Sequence, residues 1–513
     1  MTGRGTVAVI GGGIAGLATA ALLAEDGHDV EVFEGLPTTG GRAGSWERDG
    51  FRFDTGPSWY LMPEVFDRFF ALLGTSAAAE LDLVTLDPAY RVYGEPDPGS
   101  PADRVDVVSG REAATALFES REPGAGARID AYLDSAGDAY DLAVSKFLYD
   151  DYATLAAARD PALLRRLPRL LALLTEPLSR RAARTVRDPL LRQVLGYPAV
   201  FLGASPFRTP ALYHLMSHLD LDDGVQYPQG GFTQVIAAVE RLARARGVRI
   251  RTGAEVTAIL TEGGRATGVR LAGGETVAAD RVVSTADLHH TETALLPPAL
   301  QSRPEKSWRK RTPSPGALLI LLGIDGELPA LTHHTLLFAR DWKANFGAIF
   351  GRRPRIPDPA SLYVCRPSAT DASVAPAGAE NLFVLVPVPA DPSIGRGGVD
   401  GSGDPAVEAA ADRAIAQIAA WTGTPDLAER IRVRRTIAPG DFEADFHAWR
   451  GNALGLAHTL AQSGPFRPRT FSRKVRGLSY AGQTVLPGIG LPMCLISAEL
   501  VRDRIRAGED LGS

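Results

Sequence analysis

The chain has 513 residues, 45% of them hydrophobic, enough to bury the cores of two or three domains. Its 55 basic and 60 acidic residues leave a net charge of −5, without the basic excess that nucleic-acid binding calls for. A local basic patch is not excluded by that sum, so charge is also read along the chain.

Met1 to Thr6 leads straight into the apolar run Val7–Ile10, and glycines interrupt it before it reaches the length of an export segment. The first unit then reads as strand Thr6–Ile10, a glycine turn, helix Leu17–Ala24 closed by Gly27, and strand Asp29–Glu34. Together these form one βαβ unit opening a parallel sheet. The turn contains G-x-G-x-x-G at Gly11, Gly13 and Gly16. In such a turn the first glycine bends the chain off the strand and the second lets the backbone approach a pyrophosphate. The third lets the helix pack close to the sheet, and the helix N-terminus favours the anion. Glu34 ends the second strand, near the spacing expected of a carboxylate that binds ribose hydroxyls. A second glycine cluster, Thr39–Gly44, brings Gly41 and Arg42 near the same pyrophosphate. In Phe53–Pro57, Gly56 and Pro57 let the chain pass close to a flat ring.

Further on, Leu163–Arg187 carries leucines at helical spacing and seven arginines against the single Glu176. Pro168 and Pro177 predict two short helices. Two readings stay open for 163–187: a leucine face with basic flanks lying in an anionic lipid interface, or helices packed on the protein with solvated arginines. Gly247–Asp287 offers five short strands separated by glycines, read as a return to the first sheet. The adjacent His333 and His334 point opposite ways if they lie on a strand, which suits shaping a pocket better than proton transfer. Asp391–Pro405 is rich in Gly, Pro and Asp and reads as a mobile surface loop. Leu478–Ala481 and Ser497–Ile505 form a last strand-to-helix unit. The two cysteines, Cys365 and Cys494, form no C-x-x-C or Cys/His cluster, so neither a disulfide framework nor a zinc site is expected, and a reducing cytoplasm fits. No apolar stretch reaches the roughly 18–20 residues that span a bilayer.

At these residues the sequence resembles the bacterial phytoene desaturase family, flavin-dependent carotenoid desaturases within the amine-oxidase-like flavoproteins. GGGIAG at 11–16, GGRAG at 40–44 and FDTGPS at 53–58 match at the front, and YPQGG at 227–231 matches the central box. HHT at 333–335 and LVPVP at 385–389 match the substrate half, and GQTVLPGIGLPM at 482–493 the C-terminal signature. Gln483 and Leu486 depart from the Ala and His common in better-known members.

The resemblance implies an α/β fold, with a Rossmann-like FAD-binding domain assembled from discontinuous segments (1–95, 225–310 and 470–513) and an inserted α+β substrate domain (96–224 and 311–469). It implies FAD as cofactor, lined by Gly11, Gly13, Ala15, Gly16, Glu34, Gly41, Arg42, Gly56, Pro57, Val256, Gly482, Pro492 and Met493. Val256 would serve the adenine side, with Pro492 and Met493 close to the isoalloxazine. The function implied is desaturation of a hydrophobic carotenoid precursor, phytoene being favoured, with a carotenoid isomerase, another amine-oxidase-like flavin oxidase or a flavin-less prenyl-binding carrier as the alternatives. With such a substrate the interface reading of 163–187 is preferred, which places a cytoplasmic protein on the inner face of the cell membrane. Removing two hydrogens from an unactivated carbon pair needs an electron sink that no side chain supplies, and no catalytic base or metal ligand is nominated.

Overall fold

The computed structural model describes residues 4–152 and 161–508, without the side chains of Arg4 and of 161–165. Leu163, Leu164 and Arg165 of the leucine–arginine segment therefore have no side-chain description.

The first strand, Arg4–Ile10, pairs in parallel with His28–Phe33 on one side and with Arg281–Ser284 on the other. Leu478–Tyr480 and Arg249–Arg251 extend this into a five-stranded parallel sheet. Three stretches of chain far apart in sequence thus share one sheet. The helix Ile14–Glu25 is buried on every side from Ile14 to Leu23, which its Ala- and Leu-rich sequence allows. It lies against the helices Leu491–Arg506 and Thr233–Ala245.

The segment 247–287 does not wholly rejoin that sheet. Only Arg249–Arg251 and Arg281–Ser284 do; Val256–Glu262, Arg265–Leu271 and Thr276–Ala278 form a separate antiparallel meander. The turns joining these strands, at Gly263-Gly264 and Gly273-Gly274, are too short for a parallel crossover, which needs a dozen or more residues.

A seven-stranded sheet makes the second layer, in the order Ile431–Ile437, Gly316–Asp325, Ala379–Val388, Leu362–Cys365, His334–Phe338, Tyr90–Gly94 and Arg104–Val107. Tyr90–Gly94, placed by sequence in the first cofactor segment, pairs instead with His334–Phe338 of this sheet. The strand Gly316–Asp325 is buried at every position but its last. Its alternating side chains serve two cores. Leu318, Ile320 and Leu322 pack with Val407, Ala411 and Ile415 of the helix Pro405–Thr422, and Ala317, Leu319 and Leu321 face the opposite core.

The 391–405 loop is tightly bonded rather than loose. Gly397 N–H donates to Asp441, Gly398 N–H to Thr436 Oγ1, and Asp404 accepts from the Arg396 N–H. A Cβ on Gly397 would lie 2.0 Å from the Thr436 carbonyl, so glycine is present there for close packing. The leucine–arginine segment forms two helices, Pro161–Thr175 and Leu178–Thr185, separated at Pro177 with Pro168 inside the first.

At the C-terminal end of the helix Ile14–Glu25, Asp26 accepts from Arg502 at 2.9 and 3.0 Å and from Arg506. A carboxylate at a helix C-terminus is unfavourable by itself, and burial raises its pKa further. The two guanidiniums outweigh both effects and hold Asp26 below the ordinary carboxylate range. Because the folded value is depressed, the stabilisation is present above the unfolded pKa and is lost as pH falls through the folded one. Asp26→Ala strands Arg502, whose side chain is 6% exposed, and should destabilise the protein by about 3–5 kcal/mol. Thermal unfolding should show a lower midpoint at pH 7 and a shallower loss of stability below pH 4. An unchanged midpoint would mean that the pair contributes nothing to the docking of the two helices.

Candidate active site

The chain leaves the first strand at Gly11, whose φ of +96° suits a glycine turn, and enters the helix after Gly13. Gly16 sits where the helix crosses this turn, and a Cβ there would lie 1.9 Å from the Gly11 carbonyl oxygen. Gly13 differs: the nearest atom to an added Cβ is the Gly40 carbonyl at 3.7 Å, and the residue borders open space. Gly16 thus closes the packing behind the wall, and Gly13 leaves room in front of it.

The second glycine cluster lies directly on the first, with the Gly40 N–H donating to the Gly12 carbonyl at 2.9 Å. Glu34 is 8% exposed; its two oxygens accept from the Gly12 and Leu36 N–H groups at 2.6 and 2.9 Å, which fixes the carboxylate at the cavity wall. Gly56 presses on Arg42, whose carbonyl would be 1.9 Å from a Cβ there. Arg42 lines the cavity beside Gly41 and Pro57. Its Nε and Nη2 are buried and have no hydrogen-bond partner. Burial lowers its pKa, and Asp287 only partly opposes this. A guanidinium in this position calls for an anion, and a pyrophosphate is such a group.

From the other end of the chain, Gly482 (φ +113°) donates its N–H to Ser497 Oγ at 3.0 Å. Pro492 and Met493 form the wall at the first turn of the helix Leu491–Arg506. Ala15 and Val256 complete the set, so every sequence-nominated residue except Gly16 borders one cavity.

Arg467 escaped the sequence reading. Its guanidinium donates to the carbonyls of Val485 at 3.0 Å, Gln462 at 3.3 Å, Leu456 and Gln483. Buried, and pulled down to about 10 by that burial, it ties the 482–486 loop to the 456–462 segment. The only signal was an arginine between prolines at 465 and 468. Trp59 and Tyr363 were also missed: both line the cavity, and the Tyr363 hydroxyl bridges Ser58 and His334 at 2.7 Å each.

The cavity is continuous, about 880 Å³, and runs from Glu34 and Gly13 into an apolar chamber. Leu319, Leu336 and Phe338 form its sheet side, with Trp342 of the helix Trp342–Phe350 beside them, and Leu170, Leu174, Tyr213 and Met216 its helical side. Tyr197 also lines it, but its hydroxyl is engaged by Asp220 at 2.6 Å. The mouth carries Leu460 and Phe466, 43% and 60% exposed.

His333 and His334 do not point opposite ways: their ring centroids lie 4.6 Å apart. The strand begins only at His334, so alternation does not extend to His333. Cys365, expected to stand apart from histidine, faces His334 across the ladder.

The two glycines yield a test of the wall. Gly13→Val meets little protein but fills the cavity, so it should fold and lose flavin. Gly16→Val should fail to fold, because the Gly11 carbonyl occupies the space. Circular dichroism and flavin absorbance of the purified variants separate the two effects, and stoichiometric flavin in Gly13→Val would remove the pyrophosphate from this turn.

Residues 14–505 match the family of flavin containing amine oxidoreductases. The chain is 41% identical to a carotenoid 3,4-desaturase of Haloarcula japonica, over 96% of each chain. It is 38% identical to a zeta-carotene-forming phytoene desaturase of Myxococcus xanthus, over 97% of this chain and 93% of the other. An oxidoreductase from Methanosarcina mazei shares the fold with a TM-score of 0.62 at 18% identity, covering 97% of this chain and all of that one. The buried, partnerless nitrogens of Arg42 and the carboxylate of Glu34 fit FAD, the family's cofactor. The chain belongs to the flavin containing amine oxidoreductases and, within them, to the carotenoid desaturases.

Proposed function

We propose that this FAD-dependent desaturase introduces double bonds into a long apolar polyene, phytoene, in carotenoid biosynthesis. The observation that carries this reading is the single cavity, polar and glycine-rich at one end and apolar along the rest. In it Gly11, Gly13, Gly41 and Arg42 hold the FAD pyrophosphate, and Glu34 accepts from the ribose hydroxyls. Val256 serves the adenine, while Ala15, Gly56, Pro57 and Gly482 shape the channel, and Pro492 and Met493 abut the isoalloxazine.

When bound, FAD accepts the reducing equivalents withdrawn from the hydrocarbon. The protein holds the polyene in line with the ring and excludes water. Leu319, Leu336, Phe338 and Trp342 are suited to both tasks because they offer an incoming chain only apolar surface. Arg467 keeps the 482–486 loop in place through its carbonyl contacts.

Within the described residues no helix is long and apolar enough to cross a membrane. Leu167 and Leu171 are 42% and 51% exposed on the helix whose Leu170 and Leu174 line the cavity. Phe466 and Leu460 at the mouth add to this apolar rim. Arg166 and Arg180 are exposed beside it, whereas Arg169 pairs with Asp138, Arg184 with Glu176, and Arg181 lies over Tyr132. A leucine rim with free arginines suits an anionic lipid surface. The protein thus sits on the inner face of the cell membrane and draws substrate directly from it.

The relative at 41% identity favours a second substrate, a preformed carotenoid desaturated at its 3,4 position. Expression in cells that accumulate phytoene, and separately in cells that accumulate lycopene, distinguishes the two. Coloured dehydrogenation products of unchanged carbon skeleton are expected in the first strain. Unchanged phytoene beside flavin-loaded protein, with new product only from lycopene, would replace phytoene by the preformed carotenoid. A geometric isomer without loss of hydrogen would make the enzyme an isomerase.

For the membrane surface, Arg166→Gln with Arg180→Gln should weaken binding to anionic vesicles on the order of thirty-fold, at about 1 kcal/mol per arginine. Phe466→Ser should weaken binding to neutral and anionic vesicles alike, and flavin content should stay constant in both variants. Binding equal to the parent would mean that these residues merely solvate a packed surface.

A further inference from the structure

Two strands of the seven-stranded sheet bring together three side chains that neither flavin binding nor the apolar chamber uses. His334 and Cys365 are direct cross-strand partners. His333 precedes the strand, and its carbonyl accepts the Arg366 N–H at 2.7 Å. One ring nitrogen of each histidine and the Cys365 sulfur all lie within 4.8 Å of one another. The three residues are 3%, 0% and 2% exposed.

The second observation is independent of this grouping. His333 Nδ1 is hydrogen-bonded to the Thr370 hydroxyl at 2.8 Å, and His334 Nδ1 to the Tyr363 hydroxyl at 2.7 Å. Both Nε2 atoms are buried without any hydrogen-bond partner. A buried polar atom left unmatched costs about 1–3 kcal/mol, and here two occur side by side. Oxygen partners on the far nitrogen are also the usual outer support of metal-bound imidazoles, because they fix the tautomer and aim the other nitrogen at the ion. The Trp59 ring, stacked on His334 at 4.4 Å, holds that imidazole further in place.

We propose that His333, His334 and Cys365 bind one copper(I) ion through two imidazole nitrogens and one thiolate. Thiolate and imidazole together select soft ions such as copper(I) and zinc. Charge decides between these two. The neighbouring carboxylates are already engaged: Asp54 accepts from the Phe232 N–H, and Asp371 from the Gly230 N–H and Ser373. Only one anionic ligand therefore remains, and it neutralises a monovalent ion completely, whereas a divalent ion would leave a net charge in a dry core. On binding, the thiol proton leaves to solvent, the copper–sulfur bond forms, and no electron is transferred. Bonds of about 2.0–2.3 Å draw the three ligands together from their present spacing. The ion would staple the two strands next to the Tyr363 and Trp59 wall of the cavity.

The test uses the flavin-loaded full chain, given copper(I) anaerobically as its acetonitrile complex, then desalted with a copper(I) chelator present. Metal analysis should find one copper per chain in the parent and under a tenth of that in Cys365→Ser and in His333→Gln, with FAD per chain unchanged. X-ray absorption of the parent should show one sulfur and two nitrogen neighbours, a readout that does not depend on the variants folding. Loss of all copper to the chelator, copper retained equally by Cys365→Ser, or a shell without sulfur would overturn the site. Retention of zinc in preference to copper in a parallel titration would overturn the charge argument and with it the assignment to copper(I).

Discussion

The strand Arg4–Ile10 pairs on both flanks, and its two neighbours are reached by connections leaving in opposite directions. In an open parallel sheet such a reversal leaves a crevice beyond the carboxyl end of the strand, because the crossing segments diverge there. That single topological fact decides where a ligand can meet backbone N–H groups. The first glycine turn sits at this point, the second lies on it, and the C-terminal helix packs against the helix that follows. The chain between 57 and 232 and between 285 and 477 is free to build anything that does not close the crevice. What it builds is the seven-stranded sheet, whose strand Gly316–Asp325 gives one face to the helix Pro405–Thr422 and the other to the core beside the cavity.

The two ends of the cavity impose opposite requirements on their walls. At the glycine end the wall keeps polar atoms unsatisfied, as Arg42 Nε and Nη2 are. Along the apolar chamber a hydroxyl bonded elsewhere lets a hydrocarbon displace water without loss. Tyr197 shows how this is met: its ring lines the chamber while its hydroxyl bonds to Asp220. Asp220 is itself pushed up to about 7 by burial, against the pull of the hydrogen bonds from Tyr197 and Tyr90.

How much of this was legible in the sequence follows from the range of each interaction. The βαβ unit and the glycine turn are local, and composition with spacing sufficed to place Gly11 and Gly13 in the turn and Glu34 after the second strand. Strand partners are not local. Tyr90–Gly94 reads as a strand anywhere, and only the ladder with His334–Phe338 assigns it to the second sheet. The meander at 256–278 looks like three more parallel strands until its short turns are weighed. The 391–405 loop misled through composition, since glycine permits motion and close packing alike; Gly397, 2.0 Å from a carbonyl if given a Cβ, is there for packing. Cys365 and His334 are 31 positions apart, and no spacing rule joins them.

Arg42, which lines the cavity, and Arg467, which lies behind it, differ in a way that neither burial nor sequence context reveals. Both are partly or wholly buried, and neither hydrogen-bonds a carboxylate in the structure. Arg467 is surrounded by carbonyl oxygens from two segments, so its charge is compensated by fixed dipoles within the fold. Arg42 has no such ring: its carbonyl is pressed by Gly56, while Nε and Nη2 bond to nothing in the protein. The open nitrogens of Arg42 belong to a residue at the cavity wall, where a group from outside the chain can reach it. In sequence the two residues look alike, an arginine beside glycine and an arginine beside proline. Their difference lies in the acceptors around each: the fold supplies those of Arg467, whereas Arg42 Nε and Nη2, on a residue that lines the cavity, have none.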